Sequence, residues 1–201
     1  MADNFWNERY NVDHYVYGTR PNAFLTAEAG RLPPGSRILV PGDGEGRNGV
    51  WLAGLGMTVH SVDGSSVAVD KARRLAAERG VPLTAETANL LDWSWPVGTF
   101  DAVVCLFLHF PEPERVDIHA RMVRALRPGG LVLLETFRPA QLTCGSGGPR
   151  DEALLYTPDQ LRSDFAGLDI LLLEEAEPVL DEGPFHQGKG ATVRLVARKP
   201  L

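Results

Sequence analysis

Three glycines at alternate positions, Gly42, Gly44 and Gly46, follow the apolar run Ile38-Leu39-Val40 and precede Arg47 and Asn48. Their spacing removes Cβ from a turn that a bulky ligand must approach closely. The segment beyond, with Val50, Trp51, Leu52, Ala53 and Leu55, has a helical pattern. Its free N–H groups and positive dipole end face back toward the turn. Such a turn holds the polar part of a nucleotide-like ligand. A second run, Met57-Thr58-Val59-His60-Ser61-Val62, ends in Asp63. A carboxylate at the tip of the second strand of a βαβ unit accepts hydrogen bonds from both ribose hydroxyls. The spacing G-x-G-x-G differs from the dinucleotide pattern G-x-G-x-x-G, and the absence of a following Lys-Ser or Lys-Thr pair excludes a P-loop.

The elements that must position these residues alternate regularly. Ser65 to Arg79 has helical periodicity, opened by a Ser-Ser pair and stopped by Gly80. Pro82 to Ala88 reads as a third strand. Asp101 to Phe107 is a nearly continuous apolar run, suited to a central strand buried on both faces. Glu112 to Leu126 reads as a helix stopped by Pro128-Gly129-Gly130, and Leu131 to Phe137 as a fifth strand. Thr157-Pro158 opens a helix through Leu161 and Phe165. Asp169 to Glu175 and Ala191 to Arg198 are two last strands joined without a helix, which predicts an antiparallel hairpin. The expected fold is α/β: a Rossmann-like, mostly parallel seven-stranded sheet with helices on both faces and a C-terminal antiparallel hairpin. One domain is expected over 1–201, with an N-terminal helical or lid segment over 1–34 and the Rossmann-like core over 35–201.

Composition narrows the class. The chain has 201 residues, 44% hydrophobic and 23% charged, within the globular range, with a net charge of −6. No basic block appears, which argues against nucleic acid or an anionic membrane as the main partner. No apolar signal core or membrane-length run is present. The two cysteines, Cys105 and Cys144, lack metal-ligand spacing, and no metal site is expected. A reduced, cytoplasmic protein, monomeric or weakly dimeric, is the expectation.

The G-x-G-x-G turn with an acid closing the next strand resembles the S-adenosylmethionine site of Rossmann-like methyltransferases. The chain as a whole resembles class I S-adenosylmethionine-dependent methyltransferases, more narrowly the small bacterial tellurite-resistance-like group. The resemblance rests on Tyr17 to Asn22, Gly44-Glu45-Gly46-Arg47-Asn48, Val62-Asp63-Gly64-Ser65, Asn89-Leu90, Leu126 to Gly130, Gly147-Gly148-Pro149 and Glu182 to Gly188. It implies a bound S-adenosylmethionine and methyl transfer to a small-molecule acceptor such as a thiol or a metalloid oxyanion. It also implies cofactor contacts from Tyr17, Gly42, Asp43, Gly44, Glu45, Gly46, Arg47, Asn48, Asp63, Gly64, Ser65, Asn89, Leu90 and Leu106. Two positions depart from the family pattern: Val40 replaces an acid before the first glycine, and Asn89 replaces an aspartate near adenine. The Asn89 side-chain oxygen still accepts a hydrogen bond. These departures, with no obvious catalytic dyad, keep a non-catalytic S-adenosylmethionine-binding sensor or partner subunit as the alternative.

Methyl transfer from a sulfonium is an in-line displacement that asks mainly for alignment and exclusion of water. A base matters only where the acceptor must lose a proton. The candidate catalytic residues are His109, beyond the fourth strand, and His186, in the glycine-rich connection between the last two strands. Both loops lie on the carboxyl side of the parallel sheet, where ligands of open α/β sheets bind. Tyr15, Tyr17 and Asn22 are expected to form a lid over the cofactor. Trp6 and Tyr10 are expected on an amphipathic helix packed on the sheet. Trp93 and Trp95 are read as core packing near adenine, and Cys144 as a substrate-loop residue. His14, His60 and His119 read as structural or exposed.

Overall fold

The computed structural model describes residues 2–201, with side chains from Phe5 onward; Met1, the first residue of the expected lid, lies outside the described residues. In chain order the elements are α1 (Ala2–Tyr10), α2 (Ala23–Glu28), β1 (Arg37–Pro41), α3 (Arg47–Gly54), β2 (Thr58–Asp63), α4 (Ser66–Arg79), β3 (Thr84–Thr87) and β4 (Phe100–Leu106). They continue with α5 (Glu114–Ala125), β5 (Leu126–Phe137), α6 (Pro158–Asp164), β6 (Asp169–Ala176), β7 (Val179–Asp181), β8 (Gln187–Lys189) and β9 (Thr192–Arg198).

Seven strands form one sheet in the order β3-β2-β1-β4-β5-β9-β6. The first five run parallel; β9 inserts antiparallel between β5 and β6. The last two strands of the sheet thus form the expected antiparallel pair. The connection between them carries a short ribbon of its own, in which Val179 pairs with Lys189 and Asp181 with Gln187.

Alternation along the strands explains the continuous apolar runs. Leu39, Val62, Val103, Cys105, Val132 and Leu134 face α5 and α6 through Ile118, Met122, Leu161 and Phe165. Ile38, Val40, Ala102, Val104, Leu131 and Leu133 face α2 and α3 through Phe24, Leu25, Leu52 and Ala53. Both faces are therefore dry, as a parallel sheet requires.

Local chemistry sets the helix ends. The Ser65 side chain accepts from Ala68 N, and Gly80 ends α4 in the left-handed conformation at φ 65°. Thr157 and Gln160 form a reciprocal capping box at α6, with Pro158 in its first turn. Two expectations shift. The fifth strand starts at Leu126, directly after α5, because Phe100 pairs with Leu126 before the register slips to Ala102 and Leu131. A Cβ on Gly130 would lie 3.0 Å from Arg127 O and 3.1 Å from Asp101 O, so the strand passes through that crowded point on a glycine. Helix α1 packs against α4 rather than the sheet; Tyr10 and Val16 cluster with Ala68.

Candidate active site

The glycine turn and the acid of β2 form one unit. Gly42 N donates to Val62 O at 2.7 Å, tying the turn to the end of β2. Gly44 N donates to Asp63 Oδ2 at 2.8 Å, and Ser65 N donates to Asp63 Oδ1 at 2.8 Å. Each carboxylate oxygen thus takes one backbone donor and keeps a further lone-pair direction. Burial raises the Asp63 pKa, opposed by the two N–H donors. A buried, doubly accepting carboxylate fits a ribose diol, and the N-terminus of α3 behind the turn favours an anionic ligand group. On these residues S-adenosylmethionine fits.

The close space at the glycines is filled by protein. A Cβ on Gly42 would lie 2.8 Å from Leu108 Cδ1, and one on Gly44 2.8 Å from Tyr10 Oη. A Cβ on Gly46 would lie 2.6 Å from Ala72 Cβ, so that glycine serves the close approach of α3 and α4. The immediate neighbours of the missing Cβ atoms are a loop leucine, a tyrosine of α1 and a helix alanine, so each glycine also serves the packing around the turn.

The other residues of the turn brace it. Asp43 accepts from Gly49 N at 3.2 Å and from Ser61 Oγ at 2.9 Å. Full burial pushes its pKa up to about 7 despite both donors. Glu45 accepts from Val16 N at 2.7 Å and from Lys71 Nζ at 2.7 Å. Lys71 Nζ also donates to His14 O at 2.8 Å. This buried ion pair pins residues 14–17 against the turn and α4. Tyr15 lies over Lys71, and Asn7 Oδ1 accepts from Ser65 Oγ at 2.7 Å. The N-terminal segment therefore packs over the turn and α4.

Asn22 has a different place from the lid expected of it. It is buried, caps α2 and donates through Nδ2 to Glu135 Oε2 at 2.7 Å and Glu182 Oε1 at 3.2 Å. Its backbone N donates to Asn48 Oδ1 at 2.9 Å. Glu135 accepts in addition from Arg194 Nε at 2.7 Å and Thr192 Oγ1 at 3.1 Å. Glu182 accepts from Arg47 at 2.8 Å. Two acids and two arginines thus form a network near the carboxyl end of β5, buried at Glu135, Glu182 and Arg47 and half-buried at Arg194. Sequence reasoning missed Glu135, Arg194 and the pairing of Glu182; a lone acid inside the apolar run of β5 was the available signal.

On the acceptor side, Phe107 adopts φ 53°, a left-handed conformation costly for a bulky residue, and turns the chain sharply out of β4. His109 follows, its ring stacked on Phe137 at 5.8 Å between centroids. His186 lies edge-on to the same Phe137 at 5.3 Å, and at 4.8 Å from Phe107 and 4.7 Å from Tyr17. The topology thus brings the two histidines to one aromatic cluster. They differ in hydrogen bonding. His109 Nδ1 lies 2.7 Å from Leu154 O, and Thr136 Oγ1 lies 3.2 Å from its Nε2. Burial lowers the His109 pKa to about 4, so the ring is neutral near pH 7. His186 Nδ1 lies 3.3 Å from Glu182 Oε2. Gly183 fits against Val16 O and Tyr17, closing the rim loop onto the lid. The 144–149 loop closes in too: a Cβ on Gly148 would lie 2.7 Å from the Phe137 ring.

The remaining expected cofactor contacts are mixed. Gly64 is half-buried in the bend after β2, beside Ser65. Leu90 and Leu106 are core residues by their side chains. Asn89 bonds to Leu91 N at 3.1 Å and Asp92 at 3.0 Å, on the edge of a cleft shared with His60, Glu86 and Trp93. Trp93 and Trp95 pack on the core, with indole N–H groups on Glu86 and Leu90 O. His119 is buried against Asp164 at 2.7 Å and joins α5 to α6. Cys144 lies against Ala140 O. Among the described residues no helix is long and apolar enough to cross a membrane.

Residues 38–130 match the family described as "Methyltransferase domain". A thiopurine S-methyltransferase of Xanthobacter autotrophicus is 36% identical over 40% of this chain and 38% of its own length. The chain spans about two fifths of the length of such curated relatives. A solved structure from work on conversion of a disulfide bond into a thioacetal group during echinomycin biosynthesis superimposes with TM-score 0.80 at 23% identity, over 100% of this chain and 93% of that one. TehB from Haemophilus influenzae superimposes with TM-score 0.72 at 16% identity, over 98% of this chain and 66% of that one. Residues 38–130 thus match a methyltransferase domain, and the fold is shared with solved structures described as S-adenosylmethionine-dependent methyltransferases.

Proposed function

We propose that the chain transfers a methyl group from S-adenosylmethionine to a small soft acceptor, a thiol or a metalloid oxyanion, and works as one unit over 1–201 with 1–34 as its lid. The observation that carries this reading is the G-x-G-x-G turn bonded through Gly44 to Asp63 beneath a lid pinned by Glu45. The match to a methyltransferase domain supports the activity. The thiopurine S-methyltransferase relative supports a sulfur acceptor, and the likeness to TehB supports the fold that a tellurite-resistance-like placement requires.

The cofactor supplies a methyl on a sulfonium, open to in-line displacement. The chain's residues do the rest. Asp63 accepts the ribose hydroxyls, and Tyr10, Leu108 and the residues pinned by Glu45 keep water from the turn. Phe107, Phe137 and Tyr17 wall the acceptor side, where aromatic faces attract a sulfonium by roughly 0.5–2 kcal/mol. An ionised thiol or oxyanion then needs orientation more than deprotonation. The burial of His109, with Nδ1 on Leu154 O and the Thr136 hydroxyl 3.2 Å from both ring nitrogens, favours a second reading as a non-catalytic S-adenosylmethionine-binding subunit.

Incubation with S-adenosylmethionine and a panel of 2-mercaptoethanol, tellurite, selenite and arsenite, followed by detection of S-adenosylhomocysteine, separates the two. Acceptor-dependent product is expected. Tight cofactor binding without product from any acceptor would favour the subunit.

A further inference from the structure

Glu182 joins the two halves of the site. It sits where the rim loop leaves β7, buried, with three partners from three elements. Arg47, in the first turn of α3 beside the glycine turn, donates to its Oε2 at 2.8 Å. Asn22, the cap of α2, donates to Oε1 at 3.2 Å. His186 Nδ1 lies 3.3 Å from Oε2. Burial alone would raise the carboxyl's pKa, but His186 and Arg47 outweigh it and hold Glu182 down to about 2.

An ionised carboxylate only accepts hydrogen bonds. The nitrogen of His186 that faces it must therefore carry the proton. In a neutral imidazole the other nitrogen then holds the lone pair. No hydrogen bond joins His186 Nε2 to any of the described residues. The ring is walled by Tyr17, Phe107 and Phe137. His109, across Phe137, is already bonded to Leu154 and Thr136.

We propose that Glu182 is a positioning residue: anchored by Arg47 and Asn22, it fixes His186 as the Nδ1–H tautomer and leaves the Nε2 lone pair on the acceptor side. The role in methyl transfer rests on the function proposed above; the tautomer does not. The arrangement also links the helix behind the cofactor turn to the acceptor histidine through a single side chain. An acceptor bearing a weakly acidic S–H or O–H group would meet a proton-accepting nitrogen there, with the proton passing from acceptor to Nε2 as the methyl arrives.

The test is long-range 1H–15N NMR of the full-length protein, recorded above the ordinary histidine titration range, with His186→Asn identifying the signal. In the wild type, Nδ1–H is expected to exceed Nε2–H by at least about tenfold, roughly 1.4 kcal/mol. In Glu182→Ala Nδ1 loses its acceptor, and the ratio is expected to fall toward Nε2–H. A wild-type ring protonated on Nε2, or a ratio unchanged in Glu182→Ala, would overturn the proposal. If Glu182→Ala fails to fold, the wild-type spectrum alone decides. Calorimetry with S-adenosylhomocysteine on the same samples keeps the two readings apart. Failure of the wild type to bind would sink the cofactor assignment and leave the tautomer result standing. Loss of binding in folded Glu182→Ala with the tautomer unmoved would make Glu182 a support of the cofactor turn only.

Discussion

The backbone N–H of Gly44 lies 2.8 Å from Oδ2 of Asp63. That hydrogen bond fastens the middle of the glycine turn to the acid that ends β2. The turn cannot move without moving the carboxylate, so the parts expected to hold the two ends of a nucleoside ligand are fixed relative to each other. Tyr10 closes over the same glycine from the lid.

The contact between Gly44 and Tyr10 is open to a double-mutant cycle. Gly44 has φ 58°, and an added Cβ would meet the tyrosine hydroxyl at 2.8 Å. Gly44→Ala is expected to lose about 1–2 kcal/mol from backbone strain, plus a contact cost. Tyr10→Phe removes the oxygen and relieves the contact part alone. Urea unfolding of both single variants and the double variant reads the coupling; strict additivity would contradict the packing.

Asp43 makes stability fall as pH rises. Burial raises its pKa from 3.8 to about 7, so between those values the folded protein holds a proton that the unfolded chain has released. Its contribution is complete below about pH 4 and is lost as pH climbs to about 7. Asp43→Asn is uncharged and lacks this loss. The variant is expected to gain on wild type from pH 4 to 8, by at most about 4 kcal/mol. A constant difference across that range would show that Asp43 ionises normally.

His109 acts with the opposite sign. Burial lowers its pKa from 6.5 to about 4, so the unfolded chain binds the proton first. Stability from this group is present above about pH 6.5 and is lost as pH falls toward 4. His109→Gln is expected to lose less stability than wild type over that acid range, by up to about 3 kcal/mol. Because Asp43 and His109 oppose each other, the wild-type curve masks both, and only the variant differences separate them.

The Glu45–Lys71 pair tests the lid. Both side chains are buried, at 3% and 6% exposure, and Glu45 also takes the Val16 N–H. Lys71→Met leaves a buried carboxylate without its cation and is expected to cost about 3–5 kcal/mol. Glu45→Gln with Lys71→Met is expected to recover part of that loss. Amide exchange at Val16 should accelerate in both; unchanged exchange would mean that other contacts hold the segment.

Much of the fold was legible because each signal was local. The central strands of the sheet showed as apolar runs, and Ser65, Gly80 and Thr157-Pro158 marked helix ends by chemistry that acts within one turn. The parts that were not legible depend on distant partners. Nothing near Asn22 in the chain announces that it bonds to Glu135 and Glu182, at separations of 113 and 160 residues. Asp43, Glu45 and Arg47 read as ligand contacts because they sit in the turn; that their side chains reach Ser61, Lys71 and Glu182 has no local signal. The β7–β8 ribbon escaped notice because three-residue strands carry no usable period. The two histidines were brought together by topology, which the strand order made foreseeable.

Isothermal calorimetry of S-adenosylhomocysteine with wild type and Asp63→Ala is the most direct measurement of the cofactor site. Wild type is expected to bind at one site. Folded Asp63→Ala is expected to lose about 1.5–3 kcal/mol, roughly 10- to 150-fold in affinity, because the ribose hydroxyls lose their charged acceptor. Absence of binding by the wild type, or equal affinity in a folded Asp63→Ala, would contradict it.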